Sequence, residues 1–323
     1  MKILLIKTQG AIPLQIRDRH LEKIKAVSKY IKLSAISSLD RQEIEKNLAD
    51  ADIIVSIPGV IPSIKGAKNL KWIHSFSAGV EKVLTNDVIN SKAIVSNSSG
   101  IHAIPIAEHV IGFMLIFTRK FYETFEKQQS KTWEANQDLT ELHGRTVLVV
   151  GLGHIGKEVA RLASCFGANT IGIKHNLKNK PDFVSKVYSI KQLENVLPKA
   201  DFVVMSLPLT PKTKHLFDMD KFKKMKKSGV VINIGRGSLI KEEDLILALK
   251  KKIIAGAGLD VTEVEPLPKA SPLWNIANVV ITPHHSGWSE KYMDRAVDLF
   301  CINLKAYLAK KPLPNLVDKK RGY

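Results

Sequence analysis

Three side chains suited to proton transfer and anion binding stand just beyond separate apolar runs of this 323-residue chain. Arg236 follows Val230–Gly235, Glu265 follows Gly256–Asp260, and His284 follows Val279–Pro283. In α/β proteins the loops at the carboxyl ends of strands are where ligands and catalytic groups gather. A guanidinium holds a carboxylate or polarises a carbonyl with a planar fork of donors. An imidazole gives or takes a proton near neutrality, and a neighbouring carboxylate favours its protonated form. Each residue also has an ordinary reading. Arg236 is then a surface arginine, Glu265 a turn residue before Pro266, and His284 a hydrogen-bonded loop histidine. Spacing alone does not choose.

A second constellation is more specific. The apolar run Val147–Val150 leads straight into Gly151, Gly153 and Gly156, and the helical pattern Lys157–Ala163 follows at once. Gly151 suits the tight turn off a strand, Gly153 the close approach of a pyrophosphate, and Gly156 close packing of helix on sheet. Leu152, His154 and Ile155 fill the turn, and the helix start offers N–H groups and a positive dipole end to phosphates. Glycine-rich turns also serve as plain strand–helix connections, but the order strand, glycines, helix favours a dinucleotide. Lys174 stands at the end of the next apolar run, roughly 20 residues on, where an acidic side chain would grip the ribose 2′-hydroxyl of NAD. A lysine cannot accept that bond but can pair with a 2′-phosphate, and His175 and Asn176 add donors. NADP(H) is therefore expected over NAD(H), which the same turn would still admit.

The elements that must carry these residues alternate. Strand patterns fall at Lys2–Lys7, Ile31–Ile36, Asp52–Ile57, Trp72–Ser75 and Ile94–Ser96, with helical patterns at Arg19–Lys29 and Arg41–Ala49 between them. A long apolar helix spans about Ile104–Arg119, and Trp133–Gly144 reads as a polar connection. A second series runs through Thr146–Val150, Thr170–Ile173, Asp201–Leu207, Val230–Ile234, Gly256–Leu259 and Val279–Thr282, and an amphipathic helix covers about Glu290–Leu308. The rhythm implies α/β architecture with parallel βαβ units. Because the glycine turn lies in mid-chain, most of a domain precedes it.

Bulk properties narrow the function further. The length suits two domains, and 45% hydrophobic residues allow two cores. Cys165 and Cys301 provide neither a disulfide framework nor metal-ligand spacing, so no metal is expected and a reducing cytoplasm fits. His284 and His285 are neighbours on extended chain and point apart, which disfavours a metal site there. The apolar run near Met1 is too short for a signal peptide, and Glu108 and His109 interrupt the longest apolar stretch, so no membrane association is expected. The net charge of +18 is carried mostly by lysine. Its densest run, Lys221–Lys227, has a single aromatic and no arginine, which reads as a solvated helix face and not a nucleic-acid surface. Such a field still attracts anionic cofactors and substrates.

Taken together, these segments resemble the D-2-hydroxyacid dehydrogenase family over nearly the whole chain. The resemblance rests on the glycine turn, Ala200–Asp201 with Ser206–Thr213, Asn233 with Arg236–Gly237, Asp260 with Glu265–Pro266, Thr282–His284, and the tail Pro312–Asp318 with Gly322–Tyr323, in family order. It implies two doubly wound parallel-sheet domains, with a Rossmann cofactor domain (100–286) inserted into a flavodoxin-like substrate domain (1–99 and 287–323). By resemblance His284 is the proton donor, Glu265 its carboxylate partner, and Arg236 the substrate anchor. Asp260 would sit beside the nicotinamide, and the backbone amides of Ser77, Ala78, Gly79 and Val80 would bind the substrate carboxylate. The resemblance extends the cofactor contacts to Leu207, Pro208, Thr213, Ile234, Gly235, Ser286 and Gly287.

The implied reaction is reduction of a small 2-keto acid, such as glyoxylate or hydroxypyruvate, to the D-2-hydroxy acid by a homodimer. Hinges are expected near Gly100 and Ser286–Gly287. Lys241 and His285–Trp288 depart from the family pattern. Trp288 either shapes the substrate pocket or packs at the hinge, and Ile57–Gly59, Ser75–Ser77 and Trp288 are expected to select the substrate's side group. Two other readings stay open on the same fold: a nucleotide-sensing corepressor, which the intact Arg236, Glu265 and His284 argue against, and phosphite oxidation. Formate oxidation is disfavoured because Glu265 stands where formate dehydrogenases carry glutamine.

Overall fold

The computed structural model describes residues 1–8, 14–57 and 59–322. Pro58 and Tyr323, named in the sequence reading, lie outside the described residues. The chain divides into two compact units, Met1–His102 with Trp288–Tyr323, and Ala103–Gly287.

The first unit is a five-stranded parallel sheet. Its strands are β1 (Lys2–Lys7), β2 (Lys32–Ser37), β3 (Ile53–Ser56), β4 (Trp72–Ser75) and β5 (Ile94–Ser96), in the order β2-β1-β3-β4-β5. That order is the flavodoxin-like one. The runs Ile3–Ile6 and Ile53–Val55 are apolar on both faces because both faces are covered. Alternate residues serve opposite sides. Ile3, Leu5, Ile53, Val55 and Trp72 face α1 (Asp18–Lys25) and α10 (Tyr292–Leu308), where Phe300, Val297 and Leu304 are fully buried. Leu4, Ile6, Ile54 and Ile73 face α2 (Arg41–Leu48) and α3 (Asn86–Asn90). The returning tail also pairs with the sheet edge, since Val317 N donates to Val95 O at 2.8 Å.

In the second unit, α4 (Ala103–Thr118) and α5 (Phe121–Gln129) precede the sheet. Its strands are β6 (Thr146–Val150), β7 (Asn169–Ile173), β8 (Lys186–Tyr188), β9 (Phe202–Met205), β10 (Val230–Asn233), β11 (Gly256–Leu259) and β12 (Val279–Ile281). All are parallel, in the order β12-β11-β10-β9-β6-β7-β8, which is the Rossmann order extended by a seventh strand. One face packs on α4 and α6 (His154–Cys165) through Val147, Val149, Val204 and Ile232. The other packs on α7 (Leu193–Val196), α8 (Met219–Lys224) and α9 (Glu242–Lys250) through Leu148, Val150, Val203, Met205 and Val231. Strand order reverses between β6 and β9, so the loops after Val150 and Met205 flank the crevice where such sheets bind ligands.

Several short elements carry no clear sequence signal, β8 and α5 among them. β8 (Lys186–Tyr188) starts on an exposed lysine and buries none of its residues, so it lacks the apolar run that marks the equally short β5 and β12. α5 buries none of its residues: its aromatic pair Phe121 and Phe125 stays exposed, so no core contact marks it as a helix of this unit. α4, by contrast, buries seven residues against the core, which makes it a core helix first. Among the described residues no helix is long and apolar enough to cross a membrane.

Candidate active site

The glycine turn is built as its spacing demands. Gly151 has φ +110°, a conformation that side chains rarely adopt, and a Cβ there would lie 2.7 Å from Ser206 O. A Cβ on Gly156 would lie 1.9 Å from Gly151 O, so only glycine lets α6 start against the strand. Gly153 differs: a Cβ there would meet nothing within 4 Å. The space in front of Gly153 is what an approaching pyrophosphate needs, and the exposed start of α6 has no side-chain cap competing for its N–H groups. Ser206 Oγ ties the two strand ends together by donating to Gly151 O at 2.8 Å.

At the end of β7, Lys174 Nζ donates to Lys178 O at 3.1 Å and Asn176 Oδ1 accepts from Lys178 N at 3.0 Å. Lys174 and Asn176 therefore shape the 174–179 loop, and His175 lies exposed beside them. Thr213 spends its hydroxyl inside its own turn, donating to Pro208 O at 2.7 Å and accepting from Thr210 N at 2.8 Å. Leu207 is half-buried, Ile234 and Gly235 are buried, and Pro208 is exposed.

The acid–base residues gather at the ends of β10, β11 and β12. His284 Nδ1 lies 2.7 Å from Glu265 Oε2, with both side chains partly exposed. The second carboxylate oxygen accepts from Thr262 N at 3.2 Å. His284 holds φ +52°, an uncommon region for a non-glycine residue, and its N–H donates to Asp260 O at 2.8 Å. Arg236 follows β10. Asn233 Nδ2 holds Arg236 O at 2.9 Å, and Arg236 Nη1 donates to Gly235 O at 2.7 Å.

Asp260 is buried to 2% exposure, and its carboxylate is surrounded by hydrogen-bond donors. Oδ1 accepts from Thr282 Oγ1 at 2.7 Å, from His285 N at 3.0 Å and from Ser286 N at 3.2 Å, while Ser286 Oγ donates to Oδ2. Thr282 has a single hydroxyl proton, and the carboxylate takes it. His109 Nε2, 3.0 Å from Thr282 Oγ1, must therefore carry a proton and donate. Burial lowers the pKa of His109; the charge of Asp260 opposes this and the nearby His285 adds to it. His109, Asp260 and His285 offer ligand atoms within 4.8 Å of one another, but hydrogen bonds already occupy the carboxylate. The sequence reading missed His109 and Thr282 as site residues. The sequence signals are a histidine breaking the apolar run of α4 and the place of Thr282 in the Thr282–His284 motif, neither of which joins the two residues.

In the first unit, the loop after β4 has its carbonyls held. Phe76 O accepts from Tyr292 Oη at 2.8 Å, Ser77 O from Ser98 N at 3.0 Å, and Ala78 O from Asn97 Nδ2 at 2.7 Å. Among the described residues nothing accepts from the N–H groups of Ala78, Gly79 and Val80. Trp288 opens the returning segment and is 44% exposed.

Comparison with known proteins identifies the family. Residues 111–286 match the model of the D-isomer specific 2-hydroxyacid dehydrogenase NAD-binding domain. A glyoxylate reductase of Thermofilum pendens is 32% identical over 290 residues, covering 87% of this chain and 85% of that protein. A D-isomer specific 2-hydroxyacid dehydrogenase family protein of Aeromonas salmonicida superposes with a TM-score of 0.86 at 29% identity, covering 98% of this chain and 99% of that one. An NADPH-dependent glyoxylate/hydroxypyruvate reductase of Sinorhizobium meliloti, solved with NADP and sulfate, gives 0.84 at 26% identity and covers both chains fully. The chain belongs to the D-isomer specific 2-hydroxyacid dehydrogenase family, and residues 111–286 match that family's NAD-binding domain.

Proposed function

We propose that the protein reduces a small 2-keto acid to the D-2-hydroxy acid with NADP(H), NAD(H) being the weaker alternative. The observation that carries this reading is the His284–Glu265 pair at 2.7 Å, set at the carboxyl edge of a sheet whose switch point bears the glycine turn. The turn Gly151–Gly156 would hold the pyrophosphate, the Lys174–Asn176 loop the ribose phosphate, and Leu207, Pro208, Ile234, Gly235, Asp260, Ser286 and Gly287 the rest of the cofactor. When bound, the reduced nicotinamide supplies a hydride to the carbonyl carbon.

The remaining work falls to the chain. Glu265 occupies Nδ1 of His284, which leaves Nε2 to give its proton to the carbonyl oxygen as that oxygen becomes a hydroxyl. Loss of the proton leaves a neutral imidazole, which solvent reprotonates. Arg236 anchors the substrate with its fork of donors, and the amides of Ala78, Gly79 and Val80 grip the carboxylate. The cofactor named for the Sinorhizobium meliloti reductase supports the NADP(H) preference. Cytoplasmic residence and a homodimer belong to the same reading. Phe121 and Phe125 on α5, with the fully exposed Trp133, give the cofactor domain an apolar surface suited to a second copy.

Loss of absorbance at the nicotinamide wavelength tests the activity, with NADPH or NADH and a panel including glyoxylate and hydroxypyruvate. Oxidation of NADPH by one of these acids is the expected result. No oxidation with any of them would refute the reading and favour phosphite oxidation or a nucleotide-sensing role.

A further inference from the structure

His74 lies on β4 with no exposed surface, packed against Phe76 and Phe300 with ring centroids 5.6 and 5.0 Å away. An apolar side chain would fill that space without the cost of burying two ring nitrogens. Both nitrogens have partners: Nδ1 lies 2.7 Å from Ser96 Oγ and Nε2 lies 3.3 Å from Ser98 Oγ. Proton counting fixes every direction. Ser98 Oγ donates to Ser75 O at 3.0 Å, and a carbonyl only accepts, so His74 Nε2 must donate to Ser98. Trp72 Nε1 only donates, and it reaches Ser96 Oγ at 2.8 Å, which leaves the Ser96 proton for His74 Nδ1. The chain Trp72 → Ser96 → His74 → Ser98 → Ser75 therefore runs one way. Burial keeps the ring neutral, holding its pKa at about 3.

Ser98 is the end of that chain and also a clamp. Its hydroxyl holds Ser75 O while its N–H holds Ser77 O at 3.0 Å. In a trans peptide the carbonyl and the following N–H point to opposite sides. Holding Ser77 O and Ala78 O therefore aims the N–H groups of Ala78 and Gly79 away from the clamp, as an anion site requires.

We infer that His74 and Ser98 are positioning residues that set the loop Ser77–Val80 for an anionic substrate group. The inference rests on the proposed assignment of that loop to the substrate carboxylate. Three variants test it, Ser98→Ala, His74→Leu and His74→Gln, each checked for folding by its melting profile. The readouts are KM and kcat for glyoxylate and for its uncharged methyl ester, with NADPH affinity by fluorescence. Ser98→Ala removes one hydroxyl and is expected to raise KM for glyoxylate roughly tenfold, the scale of one hydrogen bond near a charge. Turnover of the ester and NADPH affinity should stay unchanged. His74→Leu should match Ser98→Ala, and His74→Gln, which keeps a donor toward Ser98, should fall between it and wild type. Unmoved KM in Ser98→Ala, or equal losses on acid and ester, would overturn the inference. A wild-type protein that reduces no 2-keto acid would overturn the functional reading, and this inference with it.

Discussion

His284 Nδ1 and Glu265 Oε2 meet at 2.7 Å across nineteen residues of chain, because β11 and β12 are parallel neighbours whose carboxyl ends open on the same edge. The contact engages Nδ1, so in the proposed reaction Nε2 is the nitrogen that gives the proton.

Replacing His284 with alanine should lower kcat at least about a hundredfold, the lower range for loss of a general acid. Affinity for NADPH, measured by fluorescence titration, should be nearly unchanged. Glu265→Gln keeps an acceptor for the ring but not its charge, and should fall between wild type and His284→Ala. Near-normal turnover in His284→Ala would remove the proton donor from the scheme.

Lys174→Asp should shift the NADPH-to-NADH ratio of kcat/KM toward NADH by more than about tenfold, since a carboxylate accepts from a ribose hydroxyl and repels a 2′-phosphate. Lys174 also props the loop through Lys178 O, so Lys174→Ala serves as the comparison. It should weaken NADPH use without improving NADH use. An unchanged ratio in the aspartate variant would take the 2′-phosphate away from this loop.

The glycines of the turn should separate into two kinds. Gly156→Ala collides with Gly151 O and should lower stability by about 2 kcal/mol, within the range for overpacking. Gly153→Ala meets no protein atom, so its melting temperature should hold while NADPH affinity falls. A Gly153→Ala variant with wild-type affinity would show that no phosphate approaches that position.

His74 should make the first unit sensitive to acid. The ordinary imidazole value is 6.5, and burial holds this ring at about 3. Unfolded chain therefore binds a proton that folded chain refuses. The contribution is fully present above 6.5 and falls by about 1.4 kcal/mol for each pH unit below it, down to about 3. His109 in the second unit adds to the loss in the same direction. Asp87 is held at about 2 by the Thr85 hydroxyl and further donors, so its contribution is fully present above 3.8 and is lost only as the pH falls below that value. Urea unfolding between about pH 6 and 4 should thus show a shallower slope in His74→Gln than in wild type. Equal slopes would mean that His74 titrates normally.

The parts of the fold legible in the sequence are those where residue type and local spacing carry the constraint. The runs Trp72–Ser75, Ile94–Ser96, Thr146–Val150 and Gly256–Leu259 were read with the bounds they have. The glycine turn declared itself because three backbone demands fall within six residues. What stayed hidden depends on side chains distant in sequence. His109 and Thr282 are 173 residues apart, and no local pattern says that they are hydrogen-bonded. The His74 chain is hidden for the same reason, since its serines lie on or beyond another strand. The sequence points to Lys174 as a phosphate ligand; that its side chain holds carbonyls of its own loop is visible only in three dimensions.

The chain leaves the first unit after His102 and re-enters it at Trp288, and α10 supplies one wall of that unit's core. On the ribosome, Trp72 and Phe76 are therefore made long before Phe300, their packing partner. The intervening 103–287 segment is continuous and has both of its cores to itself, so it can complete folding while the tail is still inside the exit tunnel. The unit that is begun first thus receives one wall of its core last.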